Sequence, residues 1–216
     1  MAESMSNNRT DRRRLRTRTA VLVAAREVFA SQGVGATTIQ DITDSADVAK
    51  GSFYNHFDSK EACLEAVVEE TLAELSRGLD VLTEPMRDDP ARVIAACLRH
   101  SLRACVENPI LGWFALRAGD LIAVGSMSLG VFGRRDIRRG IESGRFHFDD
   151  FEIVFTTIGG GAEALLRRRL ENELSEEADI AFTALALRLL GVSGDEASAI
   201  AKEDLVSLET PGPEQS

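Results

Sequence analysis

Apolar residues recur at helical spacing along almost the whole chain of 216 residues, and the alternating pattern of a β-strand is almost absent. In the first third, for example, Leu22, Ala25 and Phe29 fall on one helical face at positions i, i+3 and i+7. The chain has only five prolines and one tyrosine, which argues against a β-sandwich with many turns. The pattern predicts an all-α protein.

Capping residues and helix breakers divide this pattern into separate helices. Thr38, Asp89, Asn108, Asp149 and Ser193 are predicted N-caps, and either Asp58 or Ser59 caps the fourth helix. The predicted helices cover about residues 12–32, 38–46, 49–57, 59–82, 90–106, 109–118, 149–171, 175–190 and 194–208, with a broken helix within 119–147. Residues 1–10 are predicted to be a disordered basic arm and 210–216 a disordered tail. Between them we expect two domains, at 11–58 and 59–209.

Composition narrows the cellular setting. The longest mostly apolar run, 121–132, has 12 residues and is too short to span a bilayer. No apolar segment follows the first residues, so no secretory signal is predicted. Three cysteines, an odd number, argue against a disulfide framework and favour the cytoplasm.

The negative charge of the chain is unevenly distributed. The formal net charge is −10, yet residues 1–60 carry 9 Lys and Arg against 7 Asp and Glu, and six arginines lie between Arg9 and Arg18. Residues 61–216 have a net charge of −12. This asymmetry favours a basic head with a polyanionic partner, although a solvated tail would have the same composition.

The first 57 residues have the pattern of a helix-turn-helix motif. Three short helices are predicted there, and a tight turn joins the second to the third. On the third helix, Ala49, Phe53 and Phe57 share the stripe that faces the core. The opposite stripe and its borders are small or polar and suit a DNA groove; they comprise Lys50, Gly51, Ser52, Tyr54, Asn55 and His56.

These residues resemble the DNA-binding domain of the TetR family of transcriptional regulators. The matching stretches are 21–29, 35–39 and 48–61, and the last reads Val-Ala-Lys-Gly-Ser-Phe-Tyr-Asn-His-Phe-Asp-Ser-Lys-Glu. The resemblance implies a homodimer that binds a palindromic operator and most often represses transcription. A mainly apolar small molecule would release the protein from the operator. It implies no enzymatic activity, no cofactor and no metal.

The resemblance also assigns roles to single residues. Thr38 would cap the second helix and contact phosphate with Gln40 nearby; Tyr54, His56 and Lys60 would bind phosphate. Lys50, Gly51 and Ser52 would face the major groove, with Asn55 on a base or the backbone, and the arginine-rich arm would reach a minor groove or phosphates.

Two positions depart from the family's pattern. Asp47 stands where the turn usually has glycine, and Ala49 stands where the third helix usually has a Ser or Thr cap. Asp tolerates the left-handed backbone conformation, so we expect the turn to be kept. The missing cap is expected to cost about 0.5–2 kcal/mol of local stability.

The second domain contains no motif as specific as this. We expect an effector pocket lined by Met86, Cys97, His100, Trp113, Phe114, Arg117 and Phe155, in which apolar contacts dominate and His100 or Arg117 orients the ligand. Core packing of the aromatic residues and solvation of Arg117 are the alternatives. The spacing Cys97-x-x-His100 lacks a second pair of metal ligands, so buried core cysteines are the preferred interpretation.

A run of three glycines inside a long helix predicts a dimer interface. Gly159, Gly160 and Gly161 together cost about 3 kcal/mol of helix propensity, which close packing against a second subunit would offset. The following helix is more apolar than one buried face requires, and Leu185 and Leu189 complete the predicted interface. A helix kink is the alternative.

Two further functions compete with the ligand-responsive repressor. The first is a DNA-binding regulator of the same architecture that has no ligand or acts as an activator. The second is an all-α enzyme, which lacks support because the sequence has only three histidines and shows no nucleophile–base set or phosphate loop.

Overall fold

The computed structural model describes residues 2–117 and 128–206, with side chains from residue 11 onward except those of 117 and 128–131. The described residues form ten α-helices and no strand, which confirms the all-α prediction. The helices are α1 Ala2–Ala36, α2 Ile39–Ser45, α3 Lys50–Tyr54, α4 Lys60–Leu82, α5 Pro90–Glu107, α6 Pro109–Arg117, α7 Ser128–Glu142, α8 Phe151–Leu170, α9 Glu177–Leu189 and α10 Gly194–Ala201, with a 3-10 turn at Glu84–Met86.

The chain divides into two compact units, residues 1–70 and 71–216. In the first unit, α1, α2 and α3 pack around aromatic and aliphatic side chains whose burial follows the helical stripes of the sequence. The fully or almost fully buried members are Val21, Leu22, Ala25, Phe29, Ile42 and Phe53.

The second unit has its own core, in which α5, α8, α9 and α10 meet. Its central residues are Ile94, Ile137, Phe146, Phe155, Ile158, Leu187 and Leu190. Two glycines let neighbouring groups pack directly against the backbone. A side chain at Gly140 would overlap the Phe146 ring, and one at Gly112 would overlap the Cys105 carbonyl oxygen.

Most predicted caps are present. Asp89 accepts a hydrogen bond from the Ala91 N–H, Asn108 from the Leu111 N–H and Ser193 from the Glu196 N–H. Of the two alternatives for α4, Ser59 is the acceptor, from the Ala62 N–H at 3.0 Å. The predicted N-cap of α8 was wrong by one residue. Asp150 rather than Asp149 accepts the hydrogen bond, which comes from the Ile153 N–H three residues later.

Three helix boundaries differ from the predicted ones. α1 begins at Ala2 rather than near Arg12, since residues 2–11 contain no proline or glycine; the backbone of the predicted disordered arm is therefore helical. α3 ends at Tyr54, three residues early. α10 ends at Ala201 rather than near residue 208. Just after this end, Arg99 binds the Glu203 carbonyl and Arg92 binds both carboxylate oxygens of Glu203. The predicted tail at 210–216 and the first part of the predicted broken helix lie outside the described residues.

Candidate nucleic-acid interface and effector cavity

The helix-turn-helix begins at a reciprocal cap on α2. The Thr38 hydroxyl accepts a hydrogen bond from the Asp41 N–H at 3.2 Å, and the Asp41 carboxylate accepts one from the Thr38 N–H at 2.8 Å. These bonds hold the pKa of Asp41 below its usual value, the largest effect being the bond from the Thr38 backbone. Gln40 lies exposed on α2 and binds Asp44 at 2.7 Å. Both predicted phosphate contacts, Thr38 and Gln40, therefore lie on the exposed start of α2.

The turn between α2 and α3 tolerates both departures from the family's pattern. Asp47 has a φ of 51°, the left-handed conformation expected for it. The Val48 N–H binds the Thr43 carbonyl at 3.0 Å and closes the turn. Ala49 takes the N-cap position of α3 with extended backbone and no side-chain bond, so α3 begins without the usual cap.

Of the three residues predicted to face the core from the third helix, two do so, whereas Ala49 is exposed because it lies at the N-cap of α3. Phe53 and Phe57 are buried, with ring centroids 5.6 Å apart. Tyr54 is 50 % exposed. The rest of the outward set is exposed or half-buried and comprises Lys50, Gly51, Ser52, Asn55 and His56.

His56 lies beside two arginines of α1. Partial burial, together with the positive charges of Arg14 and Arg18, holds the pKa of His56 below its usual value. Arg18 itself lies over the Phe57 ring at 5.4 Å and pairs with Glu70 at 2.9 Å. The lowered pKa favours the neutral imidazole, and Arg14 and Arg18 supply positive charge beside it.

Lys60 has a different position from the one expected of a free phosphate ligand. Its ammonium group donates to the backbone carbonyls of Val34 and Thr37, both at 2.8 Å. These carbonyls follow the break in α1 at Gly33, where φ is 78°, so the Lys60 charge stabilises the connection from α1 to α2. Lys60 therefore has a structural role in this conformation, and its contact with the DNA backbone stays a prediction.

The second unit contains a partly open cavity of about 170 Å³ among α4, α5, α6, α7 and α8. Its wall is mostly apolar and includes Leu79, Ile94, Leu102, Phe155 and Ile158.

One part of the wall carries paired charges. The Asp136 carboxylate is almost fully buried and accepts two hydrogen bonds from Arg135, at 2.8 and 3.1 Å. Arg135 also donates to Asp80 at 2.8 Å. An apolar cavity with a small polar end is the usual form of a small-molecule site.

The cavity includes only part of the predicted pocket. Cys97 and Phe155 line it. Met86 and His100 instead line a separate cavity of about 30 Å³ against α10, which has room for little more than water. His100 faces that side because it shares the stripe of Ala96 on α5.

The predicted aromatic wall on α6 was wrong. Trp113 is 40 % exposed, and neither it nor Phe114 lines the cavity. Leu111 and Ala115 point inward at i and i+4, so Trp113, two residues from each, lies on the opposite face. Ala115 and Leu116 supply the wall from α6. The side chain of Arg117 lies outside the described part of the structure.

Asp136 and Arg135 were missed by the sequence analysis. The signal was present: Phe132, Asp136 and Gly140 recur at four-residue spacing on the inward face of α7. A lone carboxylate on an otherwise apolar helical stripe indicates a buried polar group that has a partner or a ligand.

All three cysteines are free, and the thiols are protonated. Burial raises the pKa of Cys63, Cys97 and Cys105 to about 12 in each case. Cys97 and Cys105 line the cavity. Within residues 2–117 and 128–206, no group of three or more His, Cys, Asp or Glu side chains is placed to hold a metal ion.

The predicted interface glycines fall in three different environments. Gly159 lines the cavity, Gly160 is exposed, and a side chain at Gly161 would overlap the Phe182 ring of α9 in the same chain. Leu185 is 49 % exposed, whereas Leu189 is half-buried against the core. Of the five residues predicted to form the interface, only Gly160 and Leu185 therefore present open surface to a second subunit.

The fold and the outward face of α3 define a helix-turn-helix transcriptional regulator with a separate helical second unit. Two family descriptions match: residues 21–67 match "Bacterial regulatory proteins, tetR family", and residues 89–203 match "Tetracyclin repressor-like, C-terminal domain". The chain belongs to the TetR family, which consists of transcriptional regulators rather than enzymes.

Curated relatives resemble mainly the DNA-binding unit. The repressor DhaR of Mycobacterium sp. (strain GP1) is 42 % identical over 66 residues, which is 31 % of this chain and 33 % of DhaR. The repressor KstR2 of Rhodococcus jostii (strain RHA1) is 43 % identical over 58 residues, 27 % of this chain and 28 % of KstR2. The chain thus aligns with about a third of the length of these relatives.

One solved structure resembles nearly the whole chain. RolR in complex with its ligand resorcinol is 33 % identical, with a TM-score of 0.77, and the match covers 92 % of this chain and 100 % of RolR. No helix among the described residues is both long and apolar enough to cross a bilayer.

Proposed function

We propose that this chain is a ligand-responsive transcriptional repressor that acts in the bacterial cytoplasm, binds a palindromic operator as a homodimer and releases it when a mainly apolar small molecule binds. The observation that carries the DNA-binding part is the outward face of α3. Lys50, Tyr54 and Asn55 project from a helix whose other face is fixed by Phe53 and Phe57. Such a helix can enter the major groove and read base edges.

The effector part is supported by the cavity and by the likeness to RolR. RolR binds resorcinol, a single aromatic ring, and resembles this chain over the second unit as well as the first. The cavity of about 170 Å³ is mostly apolar and larger than the cavity of about 30 Å³ beside α10. A ligand can bind more tightly to the conformation that does not bind DNA. It then lowers operator affinity by up to the ratio of its own affinities for the two conformations, usually five- to 150-fold.

The homodimer is supported by an exposed stripe on α8 beside an exposed leucine on α9. Ile153, Thr157, Gly160 and Ala164 are all exposed and recur at i, i+4, i+7 and i+11 on α8. Ile153 is 66 % exposed and Leu185 49 %, so both side chains are accessible to a partner surface. A dimer also matches the two half-sites of a palindrome.

Operator binding tests this function directly. Duplexes selected from random DNA by the full-length protein should contain an inverted repeat, and the logarithm of affinity should fall linearly with the logarithm of salt concentration. Lys50→Ala should lower affinity and change sequence preference, while His56→Ala should weaken all sequences alike. Lys202→Ala, an exposed lysine of the second unit, is the matched control and should change neither. Failure to enrich any duplex would contradict the proposed function.

A further inference from the structure

The effector cavity has the dimensions of a single six-membered ring. An engineered cavity of about 150 Å³ with walls of Leu, Ile and Phe binds benzene, and the cavity of this protein is about 170 Å³ with similar walls. A ring with one or two small substituents fills such a space.

The polar end of the cavity has acceptors to spare. An ionised carboxylate has four lone-pair directions, and Arg135 occupies one on each oxygen of Asp136. Asp136 is 4 % exposed, so water has little access to the remaining directions. A hydroxyl group on a bound ring would donate to this carboxylate in one of the stronger kinds of hydrogen bond found in proteins.

The charges around the cavity disfavour an anionic ligand. Among the described lining residues the one guanidinium group is that of Arg135, and the carboxylates of Asp136 and Asp80 already bind it. An anionic ligand would add a further negative charge where burial strengthens repulsion. Asp80 receives a second pairing from Arg87 at 3.3 Å, so Arg135 is left as the cationic partner of Asp136.

The same geometry disfavours a cationic ligand. Arg135 already neutralises Asp136 with a two-pronged contact. A ligand ammonium would have to leave water for an apolar cavity and lie beside that guanidinium group. A neutral hydroxyl meets neither cost, because a phenol with a pKa of about 10 stays protonated near neutral pH.

We infer that the effector is an uncharged, single-ring aromatic compound with a hydroxyl group, and that Asp136 is the residue that selects for it by accepting the hydroxyl hydrogen. This inference rests on the proposed function in taking the cavity for the effector site. Arg135 is a positioning residue, since it orients the Asp136 carboxylate rather than contacting the ring.

Four one-ring probes test the inference on the full-length protein without DNA. They are phenol, toluene, benzoate and benzylamine, and their dissociation constants are measured by titration calorimetry near neutral pH. Phenol should bind roughly ten- to a hundredfold more tightly than toluene, because toluene cannot donate to the carboxylate. Benzoate and benzylamine should both bind more weakly than phenol. Equal affinity for phenol and toluene, or tightest binding of benzoate or benzylamine, would overturn the inference.

Two variants locate the effect. Asp136→Asn should bring the affinities for phenol and toluene to within a few-fold of each other. Asp179→Asn is the matched control: Asp179 is another buried carboxylate, paired with Arg169 at 3.1 Å away from the cavity, and its loss should leave the preference for phenol intact. A preference that persists in Asp136→Asn would assign selectivity to another residue and refute our assignment.

A second variant, in which a new side chain fills the cavity, keeps the test decisive if Asp136→Asn fails to fold. Gly159 lines the cavity, and a side chain at this position meets nothing within 4 Å. Gly159→Leu should abolish phenol binding while favouring the helix. Phenol binding that survives this change would place the ligand elsewhere.

The outcomes also separate this inference from the proposed function. A protein that binds a selected operator but none of the four probes at millimolar concentration contradicts the inference alone. A protein that binds phenol as described but enriches no duplex contradicts the proposed function alone. When both hold, phenol should release the operator from the wild type and leave it bound in Gly159→Leu.

Discussion

Gly51 is a residue whose identity the fold itself does not require. It is exposed near the start of α3, has no left-handed backbone, and a side chain there would meet no atom of the protein within 4 Å. Alanine would favour the helix by about 0.8–1 kcal/mol. Under the proposed function, the absence of a side chain leaves room for DNA to approach α3.

Gly51→Ala should separate stability from binding. We expect a free energy of unfolding that is equal or higher by up to about 1 kcal/mol, together with weaker operator binding because the added methyl group meets the DNA. Urea unfolding and fluorescence anisotropy measure the two effects. Gly194→Ala, on an equally open glycine of α10, is the control and should leave DNA binding unchanged. An operator affinity unaffected by Gly51→Ala would show that this part of α3 faces solvent in the complex.

At the scale of elements, α3 is the shortest α-helix among the described residues, and the proposed DNA interface depends on it. It has five residues, and Ala49 provides no side-chain cap. Ala49→Ser should stabilise the first unit by about 0.5–2 kcal/mol, because a serine hydroxyl can accept from the free N–H groups of the first turn. Thermal unfolding measures this gain. Ala30→Ser, on the exposed surface of α1, is the control and should give no gain.

The start of α5 should be sensitive to acid. Burial acts to raise the pKa of Asp89, but the bonds from Arg145 at 2.8 Å and from the Ala91 N–H outweigh it, so the pKa lies below its usual value. A lowered pKa stabilises the fold above the unfolded value of about 3.9 and loses this effect as pH falls through the folded value.

Asp89→Asn keeps a capping oxygen but removes the charge. It should cost about 0.5–1 kcal/mol at neutral pH, and the difference from the wild type should shrink in acid, as urea unfolding at several pH values would show. A difference that stayed constant with pH would contradict the role of the Asp89 charge.

Sequence reasoning succeeded where the signal is local. The caps at Thr38, Asp89 and Ser193 and the burial of Phe53 beside the exposed Tyr54 depend on neighbours a few residues away, and all were predicted. The cavity wall depends on which face of α6 and α7 turns inward, and that is decided by packing against other helices. Trp113 was therefore misplaced and Asp136 missed.

For the whole molecule, the central prediction is assembly through α8 and α9. Leu185→Glu should give a monomer and reduce operator affinity, because it would bury an unpaired charge in the interface. Val81→Glu is the matched control on an apolar side chain that is 76 % exposed on α4, and it should leave the protein dimeric. Light scattering at micromolar concentration distinguishes the two states. A dimer that survives Leu185→Glu and Gly160→Leu would place the interface on other helices.

The thiols of Cys97 and Cys105, which line the cavity, have low nucleophilic reactivity. With a pKa of about 12, each is almost wholly protonated at neutral pH, and the protonated thiol is a poor nucleophile. These thiols are therefore poor targets for oxidants and electrophiles. Under the proposed function, the cavity would respond by reversible occupancy, and the signal would end when the compound is consumed.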